Sequence, residues 1–191
     1  MIYFIGNSSA VASSLYKEAT VDECLEYFRE KEYIAVDTET TGVDPHNNKI
    51  ICLQIGDQDN QFVIDCRYIN ILRFKDLLES KTVIGHNLKF DYKFLKHVGI
   101  ELDKVYDTML AECIIYCGYD SFGYSLKDVL HRYLQIDLDK TVRTDFLSVE
   151  SQPFTDKQIE YAAKDVTSLH QVRILQIQQI SRYNLQNTLE L

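Results

Sequence analysis

The chain has 191 residues, a length that suits one domain and can bury a core without disulfides or metal ions as staples. Hydrophobic residues make up 46% of it and charged residues 26%, which is ordinary globular usage and excludes the disordered, collagen-like and low-complexity classes. The formal net charge of −9 argues against nucleic-acid binding over the whole surface, since the phosphate backbone attracts cations. It leaves open an enzyme that gathers carboxylates around cations.

Apolar patterning predicts one helix and four strands in the first third of the chain. Thr20 and Glu23 form a capping-box signature, which predicts a helix from there to about Lys31. Short apolar runs predict strands at residues 2–5, 33–36, 50–55 and 61–65. The loop between the last two is typical of a hairpin, so three consecutive strands are expected to form the first sheet unit.

Helices dominate the remainder of the predicted structure, with one short strand at 82–84. Helical segments are predicted at about 71–79, 88–98, 108–117 and 125–134, while 118–123 and 137–152 are expected to be loop or irregular. A second capping box at Thr155–Gln158 begins a segment without Gly or Pro, which predicts one long helix to residue 191 or a helix and its continuation. This order of elements favours an α/β fold, a mixed sheet flanked by helices, in a single domain over residues 1–191.

Two acidic residues stand at the end of the strand predicted at 33–36. Asp37 and Glu39 are two residues apart, so in an extended chain both carboxylates project from the same face. A lone acidic pair is commonly a solvated strand end. Here the preceding Ile34–Val36 has a fully buried pattern, and a buried carboxylate pair is costly unless a cation neutralises it.

Two further segments carry candidate functional residues. Asn87 is a candidate cap for the helix that carries Asp91 four residues later. Tyr161 and Asp165 are also four residues apart, so their side chains share one face of a helix. Taken alone, Asp91 is typical of an exposed helix acid and Tyr161 of a core residue.

Together, the four carboxylates from three separated segments favour a site for two divalent cations. Hard oxygen ligands suit Mg²⁺ or Mn²⁺ better than zinc. Two such ions about 4 Å apart can clamp the attacking and leaving oxygens of an in-line phosphoryl displacement. A tyrosine hydroxyl beside them can orient or deprotonate the attacking water.

The ordered motifs Asp-x-Glu, Asn-x-x-x-Asp and Tyr-x-x-x-Asp resemble those of the DEDD superfamily of 3′→5′ exonucleases, in its tyrosine subtype. The matching segments are residues 36–42, 85–91 and 161–165, and 107–108 and 125–129 resemble intermediate segments of the family. The resemblance covers about residues 20–180. It is strongest to the proofreading domain of family A (polymerase I-like, phage-type) DNA polymerases, and RNase D-like enzymes share the same motifs.

This resemblance implies an RNase H-like fold and a role for each matching residue. Asp37, Glu39 and Asp165 would bind the more tightly held metal, and Asp37 and Asp91 would reach the second, the latter partly through water. Tyr161 would position the nucleophilic water. The implied cofactors are two divalent cations, Mg²⁺ or Mn²⁺. The positions that in the family lie near the terminal nucleotide match Thr40, Val43, Asn87 and Phe90.

The implied activity is two-metal 3′→5′ hydrolysis at single-stranded or frayed DNA 3′ ends, with release of nucleoside monophosphates. It would proofread for a DNA polymerase domain in cis or in trans, and residues from about 171 to 191 resemble a lead-in helix to such a domain. Two alternatives stay open: an RNase D-like RNA exonuclease, and a catalytically silent module that binds nucleic acid or a polymerase. Polymerisation itself is not expected of these 191 residues.

Basic residues give a weaker signal for where the nucleic acid lies. Lys89, Lys93 and Lys96 are at helical spacing and form either a solubilising face or a basic rim that pairs with phosphates. Lys140 and Arg143 fall in the segment predicted to be irregular, and we expect them to border the cleft.

The cellular compartment is inferred from the cysteines and from the absence of targeting patterns. No apolar run approaches the roughly 20 residues of a membrane span, and the N-terminus lacks a signal-peptide pattern. We therefore expect a cytoplasmic protein (in the host cytoplasm if of phage origin) with no membrane partner. The odd number of cysteines then indicates reduced thiols packed in the core, and Cys113 and Cys117 alone do not make a zinc site.

Overall fold

A seven-stranded mixed sheet forms the centre of the molecule. The computed structural model describes residues 1–7, 13–117, 119, 121, 123–137 and 152–189. In these residues the strands are β1 Ile2–Ile5, β2 Lys17–Glu18, β3 Tyr33–Thr40, β4 Ile50–Gly56, β5 Gln61–Asp65, β6 Thr82–Gly85 and β7 Lys104–Asp107. The four strands predicted in the first third of the chain are confirmed, and the predicted strand at 82–84 is β6.

The strand order in the sheet is β2-β1-β5-β4-β3-β6-β7. The central strands β5, β4 and β3 pair antiparallel with one another, which confirms the predicted unit of three consecutive strands. The outer pairings β1 with β2, β1 with β5, β3 with β6 and β6 with β7 are parallel. β3 lies inside the sheet between β4 and β6. Its pairing with β6 ends at Ala35, so its acidic end, Asp37 to Glu39, pairs with β4 alone.

Eight α-helices in the described residues flank the sheet. They are α1 Val21–Phe28, α2 Lys75–Ser80, α3 Lys89–His97, α4 Thr108–Ile115, α5 Leu126–Leu134, α6 Asp156–Thr167, α7 Leu169–Arg182 and α8 Gln186–Leu189, with a 3-10 turn at Ile71–Phe74 before α2. Both predicted capping boxes are present, at Thr20 with Glu23 and at Thr155 with Gln158. The part of the chain that the structure describes contains no helix that is both long and apolar enough to span a bilayer.

Alternation along β3 divides the core between the two faces of the sheet. Ile34 and Val36 point to the face covered by α1, α2 and α3. Ala35 points to the opposite face, where it packs with residues of α4, α6 and α7. The architecture is therefore a mixed sheet with helices on both sides, as predicted.

Several local expectations differ from the structure. Strand β7 was not predicted, because Lys104–Asp107 is short and two of its four residues are exposed. The first helix ends at Phe28 rather than near Lys31. Cys117 is exposed, so the expectation of a buried thiol is wrong there.

The segment from 156 onward takes the second of the two predicted forms, a helix (α6) followed by its continuation (α7). Ser168 separates α6 from α7 without any Gly or Pro, so the chain pattern carries no signal for the break. The break lets α6 pack on β3, β4 and β5 while α7 packs on β3, β6 and α4. Lys140, Arg143 and nearly all of the segment 137–152 lie outside the described residues.

Candidate active site

Three carboxylates meet at the end of β3. One oxygen atom from each of Asp37, Glu39 and Asp165 lies within 4.8 Å of the others. The two residues of β3 are at odd positions, so they point to the same sheet face as Ala35, which α6 covers. Asp165 reaches them because Ala162 and Ala163, both buried, let α6 approach the sheet closely. The predicted convergence of these three residues is therefore present in the fold.

The strand changes register directly after the second carboxylate. A bulge-like shift in the pairing of β3 with β4 falls between Glu39 and Thr40. Such shifts re-aim side chains at strand ends and are frequent beside active sites. Beyond it the Thr40 hydroxyl donates to the carbonyl of Gly42 over 2.6 Å, and Val43 is 81% exposed. These two predicted substrate residues do not line the cavity that contains the carboxylates.

Asp91 approaches the same region from the other face of the sheet. Its carboxylate is 3% exposed and accepts hydrogen bonds from the backbone N–H of Thr38 over 2.9 Å and from its hydroxyl over 2.6 Å. Thr38 alternates with Asp37 and Glu39, so it points toward α3. Burial raises the pKa of Asp91 to about 7, although the hydrogen bonds from Thr38 act in the opposite direction. A cation at this site would offset the cost of desolvating the ionised carboxylate.

The start of α3 is held by a residue that the sequence patterns did not indicate for this role. Asn87 does not cap the helix; it adopts a left-handed backbone conformation with φ of 57°. Instead, the carboxylate of Asp107 accepts the backbone N–H groups of Asn87 over 3.0 Å and Leu88 over 2.8 Å. The same carboxylate caps α4 through Met109. Parallel pairing of Gly85 with Asp107 brings it there, so an undetected strand determines the cap.

All five predicted catalytic residues line one cavity of roughly 460 Å³, together with the predicted substrate residues Asn87 and Phe90. Other residues of its wall were not singled out from the sequence: Thr38, His86, Met109, Tyr124, Lys127 and Leu169. Lys127 lies on the first turn of α5, in the segment 125–129 that resembles an intermediate segment of the family. That resemblance is the sequence signal that could have identified it as a residue of the site.

A buried polar cluster joins the helices that form this wall. Glu112 of α4 is fully buried and accepts hydrogen bonds from the guanidinium of Arg132 and the hydroxyl of Tyr133, both in α5. Gln176 of α7 donates to the same carboxylate over 2.7 Å. The cluster therefore fixes α5, which carries Lys127 at the cavity, relative to α4 and α7.

The side chains around the carboxylate cluster suit a hard divalent cation. Asp37, Glu39 and Asp165 offer only oxygen ligands, and such ligands favour Mg²⁺ or Mn²⁺ over softer metals. Burial also favours a bound cation at this site, because Asp165 is only 8% and Glu39 only 9% exposed. Neighbouring carboxylates repel one another unless a cation lies between them. The donor set therefore fits the metal chemistry predicted from the sequence.

The sequence profile of a family described as 3′-5′ exonuclease matches residues 13–177, which is most of the chain. The chain belongs to this family. The predicted membership among 3′→5′ exonucleases is thereby confirmed, and with it the expectation of a hydrolytic enzyme.

Curated relatives include both DNA and RNA enzymes. DNA polymerase I of Aquifex aeolicus is 33% identical over 156 residues, covering 81% of this chain. Ribonuclease D of Pseudomonas paraeruginosa is 34% identical over 155 residues, covering 78% of this chain. The chain spans 25% of the length of the first and 39% of the second, so these relatives carry long further regions.

Solved structures share the fold over nearly the whole chain. Brucella melitensis NrnC has a TM-score of 0.80 and 25% identity, with 99% of this chain and 86% of that chain covered. Its structure bound to pGG has a TM-score of 0.79 at the same identity and coverage. This likeness confirms the predicted RNase H-like architecture.

Proposed function

We propose that residues 1–191 form a single catalytic domain that removes nucleoside monophosphates, one at a time, from single-stranded or frayed nucleic-acid 3′ ends. The carboxylate cluster of Asp37, Glu39 and Asp165 carries this proposal. Asp91 and Tyr161 line the same cavity, so carboxylates from both sheet faces and a phenol surround one space. The proposed cofactors are two divalent cations, Mg²⁺ or Mn²⁺.

Each residue has a separate task in the proposed mechanism. Asp37, Glu39 and Asp165 would hold one cation, and Asp91, which accepts hydrogen bonds from Thr38, would hold the second together with Asp37. When bound, two such ions supply the positive charge that stabilises the attacking and leaving oxygens of the displacement. Tyr161 lies one helical turn before Asp165 and would orient the attacking water through its hydroxyl. Asn87 and Phe90 at the cavity wall would position the terminal nucleotide.

The hydroxyl of Tyr161 has a test of its own. Tyr161→Phe should lower kcat by about 10²-fold while KM and metal affinity stay near the wild-type values, because only the orientation of the water is lost. Steady-state kinetics and metal titration by calorimetry would check this, with Tyr68→Phe, an exposed tyrosine elsewhere, as the control. A variant with unchanged kcat would remove Tyr161 from the mechanism.

We infer that DNA is the substrate and that proofreading for a polymerase, in cis or in trans, is the role. The relation to DNA polymerase I supports this inference. RNA is a second candidate, which the relation to Ribonuclease D and the pGG complex of NrnC support. The sugars of DNA and RNA differ by the 2′-hydroxyl, which a protein can accept or exclude at the terminal nucleotide.

Matched DNA and RNA oligonucleotides of one sequence, labelled at the 5′ end, would test the proposal with Mg²⁺ and with Mn²⁺. We expect stepwise shortening from the 3′ end, mononucleotide 5′-phosphates by mass spectrometry, and faster turnover of DNA. Asp37→Asn, prepared in the same way, would measure any contaminating nuclease. Equal residual cleavage by wild type and variant would contradict the proposed exonuclease activity. Faster turnover of RNA than of DNA would contradict only the inferred substrate and would favour RNA instead. Excision of a mismatched 3′ end during polymerase extension would test the role in proofreading.

A further inference from the structure

A second cleft lies beside the active-site cavity and has no role in the mechanism above. Its volume is roughly 650 Å³. One wall is the loop between β3 and β4, and the other is the exposed face of α3. The residues of interest in these two walls are Val43, Asp44, His46, Lys93, Lys96 and His97.

Both walls of the cleft carry groups that can donate a hydrogen bond to an anion. Lys93 is exposed and makes no ion pair within the part of the chain that the structure describes. Lys96 lies 3.3 Å from the exposed carboxylate of Glu101, a pair that solvent screens. The rings of His46 and His97 meet edge to face with centroids 5.0 Å apart, which brings two imidazoles from different elements together.

One carboxylate opposes these groups, and its hydrogen bonds are local. Asp44 accepts the backbone N–H of His46 over 3.0 Å and the side-chain amide of Asn47 over 2.6 Å. These hydrogen bonds hold the pKa of Asp44 below its usual value, with smaller contributions from the two imidazoles. Asp44 thus shapes the loop that presents His46, and each of its carboxylate oxygens accepts a hydrogen bond from that loop.

Both walls of the second cleft follow, along the chain, residues that line the active-site cavity. On α3, Phe90 lines the catalytic cavity, and Lys93 and His97 follow it at i+3 and i+7 on the same helix face. The rise of an α-helix places His97 about 10 Å further along the axis than Phe90. On the other wall, the chain runs from Glu39 in the catalytic cavity to Val43 in the second cleft within four residues.

We propose that this second cleft binds the phosphodiester backbone of the substrate strand on the 5′ side of the scissile bond. The inference rests on the proposed function. Lys93, His46 and His97 contact backbone phosphates, while exposed Val43 stands between the last bases and the upstream strand. The contacts are to phosphate and are independent of sequence and sugar, so they position the strand without selecting it.

Charge reversal at matched positions tests the assignment. Lys93→Glu lies in the cleft, and Lys157→Glu lies on the exposed first turn of α6, so both variants change the net charge equally. Each is assayed on a single-stranded oligonucleotide and on the p-nitrophenyl ester of a nucleoside 5′-monophosphate, which has no upstream phosphate. Binding of a 5′-labelled oligonucleotide is measured without hydrolysis, by anisotropy at several salt concentrations in the Asp165→Asn background.

Lys93→Glu should lower kcat/KM on the oligonucleotide about tenfold and leave kcat/KM on the ester unchanged. It should also reduce the slope of the logarithm of the binding constant against the logarithm of the salt concentration by about 0.7. Lys157→Glu should change none of these by more than about twofold. Equal losses in both variants, or an equal loss on the ester, would overturn the upstream site. If the wild-type protein hydrolysed neither substrate, the proposed exonuclease activity would be refuted. The salt dependence of oligonucleotide binding would still test whether the second cleft binds phosphates. Thermal unfolding checks that each variant is folded.

Discussion

Asp165→Asn is expected to lower the rate of 3′-end hydrolysis by about 10³-fold while the protein stays folded. The substitution keeps the size of the side chain and removes one charge from the cluster with Asp37 and Glu39, whose oxygens lie within 4.8 Å of one another. The variant should therefore bind the cation that neutralises the cluster less tightly. Since fewer repelling carboxylates remain, the metal-free variant should be no less stable than metal-free wild type.

The control for this experiment lies on the same helix. Glu160→Gln removes a carboxylate from α6 that pairs with the exposed Lys164 over 2.9 Å and does not line the cavity. It should retain activity within about twofold. Hydrolysis rates and the rise in unfolding temperature on adding Mg²⁺ or Mn²⁺ are the measurements. Asp165→Asn should lose most of the metal-induced rise, and a full rise with normal turnover would contradict the assigned ligand.

Glu112→Ala is expected to reduce the free energy of unfolding by about 3–5 kcal/mol. Glu112 is fully buried and accepts from Arg132, Tyr133 and Gln176. Truncation leaves a cavity and removes the carboxylate that these three donors share. Arg132, whose side chain is 19% exposed, then keeps its hydrogen bond to the carbonyl of Gly123 but loses its ion pair. Because the cluster joins α4, α5 and α7, activity should also fall through misplacement of α5.

Urea unfolding of Glu112→Ala and of a surface control separates these effects. Glu26→Ala breaks the pair with Arg29, in which both side chains are more than half exposed, and should cost less than about 1 kcal/mol. A similar small cost for Glu112→Ala would show that the buried cluster does not hold the three helices together. Mg²⁺ should leave the difference between the two variants unchanged, since Glu112 lies outside the carboxylate cluster.

The acidic net charge is consistent with action on nucleic acid in this arrangement. The carboxylates that oppose a phosphate are concentrated where cations would bind, at Asp37, Glu39, Asp91 and Asp165. The cationic groups lie nearby on the outer face of α3 and at Lys127. A short single-stranded end can therefore be held locally by a chain whose total charge of −9 disfavours binding along a duplex.

The sequence alone determined the features that depend on neighbours a few residues apart. The capping boxes at Thr20 and Thr155 are local hydrogen-bond patterns, and both are present. The common direction of Asp37 and Glu39 follows from the two-residue period of a strand. The ordered motifs also predicted the family before any geometry was known, because metal-dependent phosphoryl chemistry needs carboxylates that converge from separate segments.

The tertiary structure alone decided the features that join distant segments. The carboxylate of Asp107 caps α3 because β7 pairs with β6, and Thr38 supports Asp91 because α3 covers the opposite sheet face. The second cleft brings the loop of His46 against His97 of α3. The helix and strand propensities of single residues do not predict which distant segments pair. Their free energy comes from burial and hydrogen bonds between residues that only the completed sheet and its helices bring together.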